Sequence, residues 1–535
     1  MRVLRGVLGA LLAVLGLLVA AVGAGAAFWL IGPDDTVYSG EQHLAVQGRT
    51  LVTSPTLINQ HGPTLHVRAQ SVDGMPVFIG VGRNFDVVSY AEAAAYTSLV
   101  QIKYPVAFST EEHIGATSPL TAPATLDWWL AKATGPAKQE LVWPIQDGPY
   151  QVVVMPARGD APVDVQLEFG LEIPHAFLAA LAVLLIGLVL LFLAWRTFRR
   201  KPKAKPTTAP VAQEEPVAKK PAALRTALSV TAVLTLTAGC AGLPEANTVT
   251  ALSRPAVTAD SARAILTRYD EVAAKAARTR DLKAISTVEA DEQLERTQTT
   301  YQLAGLRKGP AKPPTPLAQA AVAAPEYSSY PMRFATQTGD RQFGVWVRPT
   351  AGAPWRRSFA ATADAAAKVP SITGAREISS DRTAPAAEDF ARFLEKSGTS
   401  PAASGSAPDS KAFTLNPGVD ALLKIQQARR SQTKIHGAAI RSTTDKFALA
   451  SHPVTLLTPS GESLTFFTLT EKLIVATDGS HPINWADGDE SVLSTRDYED
   501  GLNAVYSHSV VLAFPAKGDP RVVAFSTQVL KADGY

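Results

Sequence analysis

Three uncharged, apolar stretches mark the first half of the chain, and shorter patterned runs fill the space between and beyond them. The first opens "MRVLRGVLGALLAVLGLLVAAVGAGAAFWLIG" and carries no charge over 6–32, more than the roughly 20 residues a bilayer core requires. It predicts a transmembrane helix over 7–32, with Arg2 and Arg5 holding 1–6 in the cytoplasm. A cleavable signal peptide is the rival reading, because Ala24-Gly25-Ala26 has the form of a peptidase site, but "AFWLIG" continues the apolar run past it. The second stretch, "HAFLAALAVLLIGLVLLFLAW" (175–195), is dense in Leu, Val and Ile and ends on an interfacial Trp195. The basic run "RTFRRKPKAK" comes at once after it and acts as a stop-transfer signal. The third, 226–243, carries five Thr and Ser residues, too many for a strong permanent anchor but normal for the core of an export signal.

Between the first two stretches, 33–174 shows strand patterning at "TLHVRAQSV" (64–72), "PVFIGVG" (76–82), "ELVWPI" (140–145), "YQVVVMPA" (150–157) and "VDVQLEFGLEI" (163–173). In the last, Val163, Val165, Leu167 and Phe169 fall on one face and Asp164, Gln166 and Glu168 on the other, as in a half-buried antiparallel strand. With turns at "QDG" and "RGDAP" and one short helix near 87–96, the segment predicts an all-β sandwich.

Beyond the third stretch the pattern is helices leading into strands, twice over. A helix over 258–281 has Thr258 as N-cap and a stripe of Ile265, Tyr269, Val272 and Ala276. Another covers 286–304, and strands come next at 332–338, 342–349 and 355–363. After a helix near 384–396 and a flexible linker, a helix over 418–434 precedes strands within 454–476 and a hairpin over 504–530. The expected organisation is an α+β unit over 258–383, a helix and linker over 384–410, and a second α+β unit over 411–535.

Charge fixes the sidedness expected of these parts. Residues 33–174 hold seven basic and fifteen acidic side chains, net −8, whereas 196–225 hold nine basic and two acidic ones, net +7. Positive loops stay inside, so 33–174 is expected outside the membrane and the Pro/Ala/Lys-rich 196–225 is a short cytoplasmic linker without a core. Everything after 243 is then outside as well. The overall charge of +3 argues against a nucleic-acid partner. Cys240 is the one cysteine, which excludes an intrachain disulfide and a cysteine-based metal cluster.

"LTAGC" (236–240) resembles a bacterial lipobox, whose cysteine receives a diacylglyceryl group. That resemblance implies lipidation at Cys240, against the alternative of a plain third transmembrane helix. Residues 1–200, through "GMPVFIGVGRNFDVVSY" (74–90), "LDWWLAKATGPAKQELVWPI" (126–145) and "GPYQVVVMPARGDAPVDVQLEFG" (148–170), resemble an actinobacterial two-span membrane protein family with an outer β-domain and no established function. The remainder resembles an actinobacterial lipoprotein family of unknown function, through "ARAILTRYDEVAAKAARTRDLKAISTVEA" (262–290), "YSSYPMRFA" (327–335) and the "GVWVRP" and "APWRRSFA" pair. The two resemblances imply a fusion of two envelope proteins. They also imply NTF2-like or cystatin-like units in the α+β region.

Candidate chemistry is sparse. The nine histidines form no i, i+4 pair and no HExxH, and no nucleophile elbow, P-loop or kinase signature is present. No cofactor, metal or catalytic residue is therefore expected. Asp478, Asp487, Asp489 and Glu490 gather in "DGSHPINWADGDE" without the spacing of a calcium loop, and read as a solvated acidic loop. Trp128, Trp129 and Trp143 read as core rather than a sugar-binding platform, and the "RGD" at 158–160 as a chance tripeptide. The expected role is a non-enzymatic cell-envelope protein, anchored in the membrane, whose outer regions bind other envelope proteins or cell-wall polymer. The alternative is a small-ligand carrier or enzyme with a pocket in the C-terminal region, signalled by His436, His452 or His508 beside a carboxylate. A sensor acting through the linker is disfavoured by the linker's length and its lack of a domain.

Overall fold

The computed structural model describes residues 2–58, 62–103, 107–199, 252–339, 341–378, 384–399 and 413–535. The linker from residue 200 onward, the third apolar stretch and Cys240 lie outside the described residues. The chain divides into two compact units, Met1–Leu252 and Ser253–Tyr535.

In the first unit, helix α1 (Arg2–Gly25) runs into a wider π turn over Ala26–Ile31, and α3 (Ala176–Arg199) comes after the β-rich part. By length and composition Gly6–Ile31 and Ala176–Arg199 are apolar enough to cross a membrane. The two pack antiparallel with their backbones in contact. A Cβ on Gly23 would lie 2.4 Å from Leu184 N, and one on Gly187 would lie 2.3 Å from Ala20 N. Small residues are what let helix backbones approach this closely where lipid offers no hydrophobic drive. Asp35 caps α3 by accepting from His175 N at 3.1 Å and Phe177 N at 2.7 Å.

Between these helices stand two sheets. One is ordered β1 (Thr36–Tyr38), β11 (Val163–Glu172), β4 (Thr64–Ser71), β9 (Gln139–Pro144), with β2 (Gln42–Val46) also on β11. The other is ordered β7 (Ala107–His113), β6 (Tyr96–Lys103), β3 (Leu51–Thr53), β10 (Tyr150–Pro156), β5 (Val77–Arg83), β8 (Ala131–Gly135). The alternation read along β11 is the observed one: Val163, Val165, Leu167 and Phe169 are buried and the residues between them are not. Strands β5 and β10 are buried on both faces. One face meets the first sheet, and the other is covered by α2 (Asn84–Ala91) and a tryptophan pair. Gly80 and Gly82 make room for that pair, since a Cβ there would press on Trp129 at 2.6 Å and Trp128 at 2.7 Å. Trp128 and Trp143 are core residues, and Trp129 is half-buried, donating from Nε1 to Pro123 O at 2.9 Å. These three tryptophans therefore form no exposed platform.

The second unit begins with β12 (Arg254–Pro255), α4 (Ala259–Thr279), α5 (Leu282–Ile285) and α6 (Asp291–Leu306). Thr258 caps α4 as expected, accepting from Ser261 N at 3.2 Å. The buried face of α4 is Ala262, Leu266, Tyr269, Ala273 and Ala276, rotated from the expected stripe, which leaves Ile265 and Val272 at its margin. The rotation places Tyr269 where its hydroxyl donates to Glu289 at 2.7 Å and accepts from buried Arg357 at 3.2 Å. After β13 (Ala321–Ala323) and β14 (Glu326–Tyr327), the strands β15 (Met332–Gln337), β16 (Gln342–Arg348) and β17 (Arg356–Thr362) complete a four-stranded sheet ordered β13-β15-β16-β17.

The larger sheet is built on β22 (Ser463–Thr477), which pairs along one edge first with β21 (Val454–Leu457) and then with β20 (Ala438–Leu449). Strand β18 (Arg376–Ile378) extends it beyond β21, and β19 (Lys434–Ile435) beyond β20. On the other edge come β23 (Gly501–Phe514) and β24 (Arg521–Gly534). One face, through Leu464, Phe466 and Val511, shares a core with Phe343, Val345 and Phe359 of the small sheet. The opposite face, through Phe467, Leu469, Val510 and Leu512, is covered by α7 (Ala384–Thr399) and α8 (Pro417–Ser431). The stretches expected as two α+β units thus share one core within a single compact unit, because alternate residues of β22 serve both sides.

A buried polar belt beneath an open cavity

Along the helix-covered face of the larger sheet, apolar side chains give way at one level to a line of polar ones. Above it sit Phe467, Leu469, Val510 and Leu512; below it sit Leu473, Val475, Ala504 and Leu502. The belt crosses four strands obliquely: Asp445 on β20, Glu471 on β22, His508 on β23 and Thr527 on β24. Period-two alternation requires these residues to point the same way as their apolar neighbours, and Asp445, Glu471 and His508 are accordingly buried.

The belt is satisfied by a chain of contacts. His508 Nε2 lies 2.8 Å from Glu471 Oε2 and its Nδ1 lies 2.9 Å from the Thr527 hydroxyl, both at hydrogen-bonding distance. The imidazole is held between the rings of Phe447 and Phe525. Arg430 of α8 pairs with Asp445 Oδ2. Each carboxyl keeps one oxygen without a donor, Asp445 Oδ1 and Glu471 Oε1. The two carboxyls lie near enough for each to alter the other's ionisation. Burial, then the charge of Glu471, raises the Asp445 carboxyl to about 6. Burial also pushes Glu471 up, but the His508 hydrogen bond and the charges of His508 and Arg429 outweigh it and hold Glu471 below the usual range.

Helix α8 roofs the belt. Asn416 caps it, accepting from Val419 N at 3.0 Å, and Pro417 starts it. A Cβ on Gly418 would lie 3.0 Å from Phe525 O, so the helix begins hard against the sheet. It ends with Arg429 over the Tyr506 ring at 5.2 Å, donating to the Tyr506 hydroxyl at 2.8 Å. That hydroxyl donates to Glu490 at 2.6 Å, on the short helix α9 (Gly488–Leu493). Burial raises the Tyr506 phenol well above its ordinary value, so it stays a donor.

Between α8, α9 and β24 lies a cavity of about 410 Å³. Its apolar wall is Leu422, Ile425, Phe525 and Val529; its polar end is Arg429, Tyr506, Glu490 and Glu471. An adjoining hollow of about 490 Å³, against α6, shares Asp489, Thr527 and Gln528 with it.

Of the residues marked in the sequence, His508 lies beside a carboxylate, one layer behind the cavity wall, while His436 and His452 stand apart from it. The acidic loop does not act as one group. Asp478 accepts from Ser480 and from Ala439 N, Asp489 pairs with Arg307, and Glu490 accepts from Tyr506. Among the described residues no three His, Cys, Asp or Glu side chains are placed to share a metal ion. Glu471, Asp445, Arg429 and Tyr506 carry no motif that marks them in the sequence. Their signal is phase: Glu471 stands in the apolar register of Phe467, Leu469 and Leu473, and Asp445 in that of Phe447.

Two helices long and apolar enough to cross a membrane flank a β-rich unit, and a second unit carries a cavity over a buried charged belt. This defines a β-rich protein of candidate membrane-associated class with a pocketed C-terminal domain. Residues 253–534 match the profile of a domain of unknown function, DUF8094, and the chain belongs to that family. No curated protein and no solved structure matches it.

Proposed function

We propose that this chain is a membrane-anchored cell-envelope protein whose C-terminal domain binds a small molecule in the cavity beneath α8. The observation that carries the reading is the cavity itself, about 410 Å³ with an apolar wall and one cluster of converging polar groups. Small-molecule sites are commonly hollows of roughly 300–1,000 Å³ with that division of labour. The belt beneath serves to fix the polar end, since His508, Arg429 and Arg430 hold the carboxylates in place. Anchoring rests on the two apolar helices and their antiparallel contact. An outer location rests on the charge difference between 33–174 and 196–225, and lipidation of Cys240 on the lipobox resemblance.

The test fills the hollow. In the full chain in lipid nanodiscs, a fragment mixture screened by saturation-transfer NMR is expected to give hits that Ile425→Trp abolishes while the melting temperature stays unchanged. Ile425 is half exposed on the cavity wall, so an indole there occupies the space without disturbing the core. Hits that survive Ile425→Trp would remove the cavity from consideration.

A further inference from the structure

The polar end of the cavity has a definite charge. Its wall presents Glu471, Asp489 and Glu490 against Arg429 alone, and Asp489 is answered by Arg307 outside that wall. Two carboxylates therefore face one guanidinium. Arg429 is already engaged by the Tyr506 hydroxyl, with Glu471 at 3.6 Å and Glu490 at 4.0 Å. Its charge is thus already faced by two carboxylates. Buried groups of the belt without a partner include Arg430 Nε and Nη1 as well as Glu471 Oε1, but of these residues only Glu471 lines the cavity. The Glu471 side chain is 1 % exposed, and its Oε1 has no hydrogen-bond donor, Arg429 Nη1 standing 3.6 Å from it. An acceptor in that state is worth more to a ligand than to water, because its desolvation is already complete.

We infer, resting on the reading of the cavity as a ligand site, that its ligand class is an organic cation, an amine with an apolar body. Its ammonium group is held at Glu471 Oε1, the buried acceptor of the cavity wall, in place of a proton on the carboxyl pair. The ammonium donates to Glu471 Oε1, the displaced proton leaves through the open cavity to solvent, and the apolar body lies against Leu422, Ile425 and Val529. The exchange is of one positive charge for another, so the buried belt keeps its balance. The groups facing the pair are Arg429 and Arg430 from α8, His508 and Tyr506 from β23, and Glu490 from α9. The Tyr506 phenol stays neutral over the working range. The Asp445 carboxyl holds its proton as far up as about 6, which places the exchange in mildly acidic solution. An amine remains protonated across that range, so binding tightens as pH rises through it and levels off above it.

The test uses the full chain in nanodiscs with three probes of one shape: 2-phenylethylamine, 2-phenylethanol and 3-phenylpropanoate. Calorimetry is expected to show the amine binding most tightly, weaker by about tenfold at pH ~5 than at pH ~7.5, with proton release detected as a dependence on buffer ionisation heat. Glu471→Gln should weaken the amine by about tenfold and leave the alcohol within about threefold. Asp445→Asn, which removes the titrating proton of the pair and leaves the Glu471 charge, should retain amine binding and erase its pH dependence. Alcohol or carboxylate binding as tightly as the amine, blocked by Ile425→Trp, would overturn the cation assignment and leave the cavity reading intact. If none of the three is displaced by Ile425→Trp, the cavity reading falls and takes this inference with it.

Discussion

A carboxyl group buried without full compensation keeps its proton to higher pH, and Glu377 is such a group outside the cavity. Arg333 lies 3.4 Å from it and the Tyr327 hydroxyl donates to it, yet burial prevails and lifts it from 4.5 to about 7. The folded chain therefore holds a proton between those values that the unfolded chain has released. Stability from this group is present in full below about 4.5 and is lost as pH rises through about 7. Glu377→Gln keeps an acceptor and removes the titration. The melting temperature of this variant is expected to fall less between pH ~5 and ~8 than that of the parent, and to exceed it at the upper end. An unchanged slope would assign the pH dependence elsewhere. At this scale the site is partly legible in the sequence. His508 is one of three histidines to look for beside a carboxylate, but its partner lies 37 residues away along the chain. Only the β22–β23 register brings the two close, and register is not written in either strand alone.

Elements are legible where burial is one-sided, and their ends less so. The alternation of β11 and the cap of α4 are local, and the structure has both. Strand β20, "AAIRSTTDKFAL", escapes a reading by pattern because its middle is polar: it bulges between Ile440 and Ser442 and places Asp445 in the belt, so its apolar signal is interrupted where its function lies. The helix pair α1 and α3 is the opposite case, in which hydropathy marks each helix but not their contact. That contact depends on Gly9, Gly16 and Gly23, spaced seven apart. Gly23→Leu must displace the Leu184 backbone from a Cβ 2.4 Å away, whereas a Cβ at Gly6 meets nothing within 4 Å. In a detergent-unfolding series, Gly23→Leu is expected to lower the midpoint of the first unit and Gly6→Leu to leave it unchanged. Equal midpoints would mean that the pairing contributes nothing to stability.

At the scale of the whole molecule the controlling quantity is where charge falls relative to grease. Two apolar helices with seven basic and fifteen acidic residues between them, and nine basic residues just after, give a strong bias for one orientation. The third apolar stretch, 226–243, lies outside the described residues, yet either reading of it puts the C-terminal domain on the same side. As an export signal cleaved before Cys240 it delivers 253–535 outside on a lipid anchor; as a third span it carries the same residues across. A reporter fused after Tyr535 therefore tests orientation without first settling that choice. Alkaline phosphatase, active only after export, is expected to be active there, and green fluorescent protein, which matures in the cytosol, to stay dark. After residue 205, in the basic linker, the two reporters should exchange behaviour, because the basic residues between 196 and 205, which are expected to hold the linker inside, then precede the reporter. A fluorescent carboxyl terminus would put the cavity in the cytoplasm and would replace envelope chemistry with cytosolic amines as the class to screen, leaving the charge argument for the cavity standing and the sidedness argument overturned.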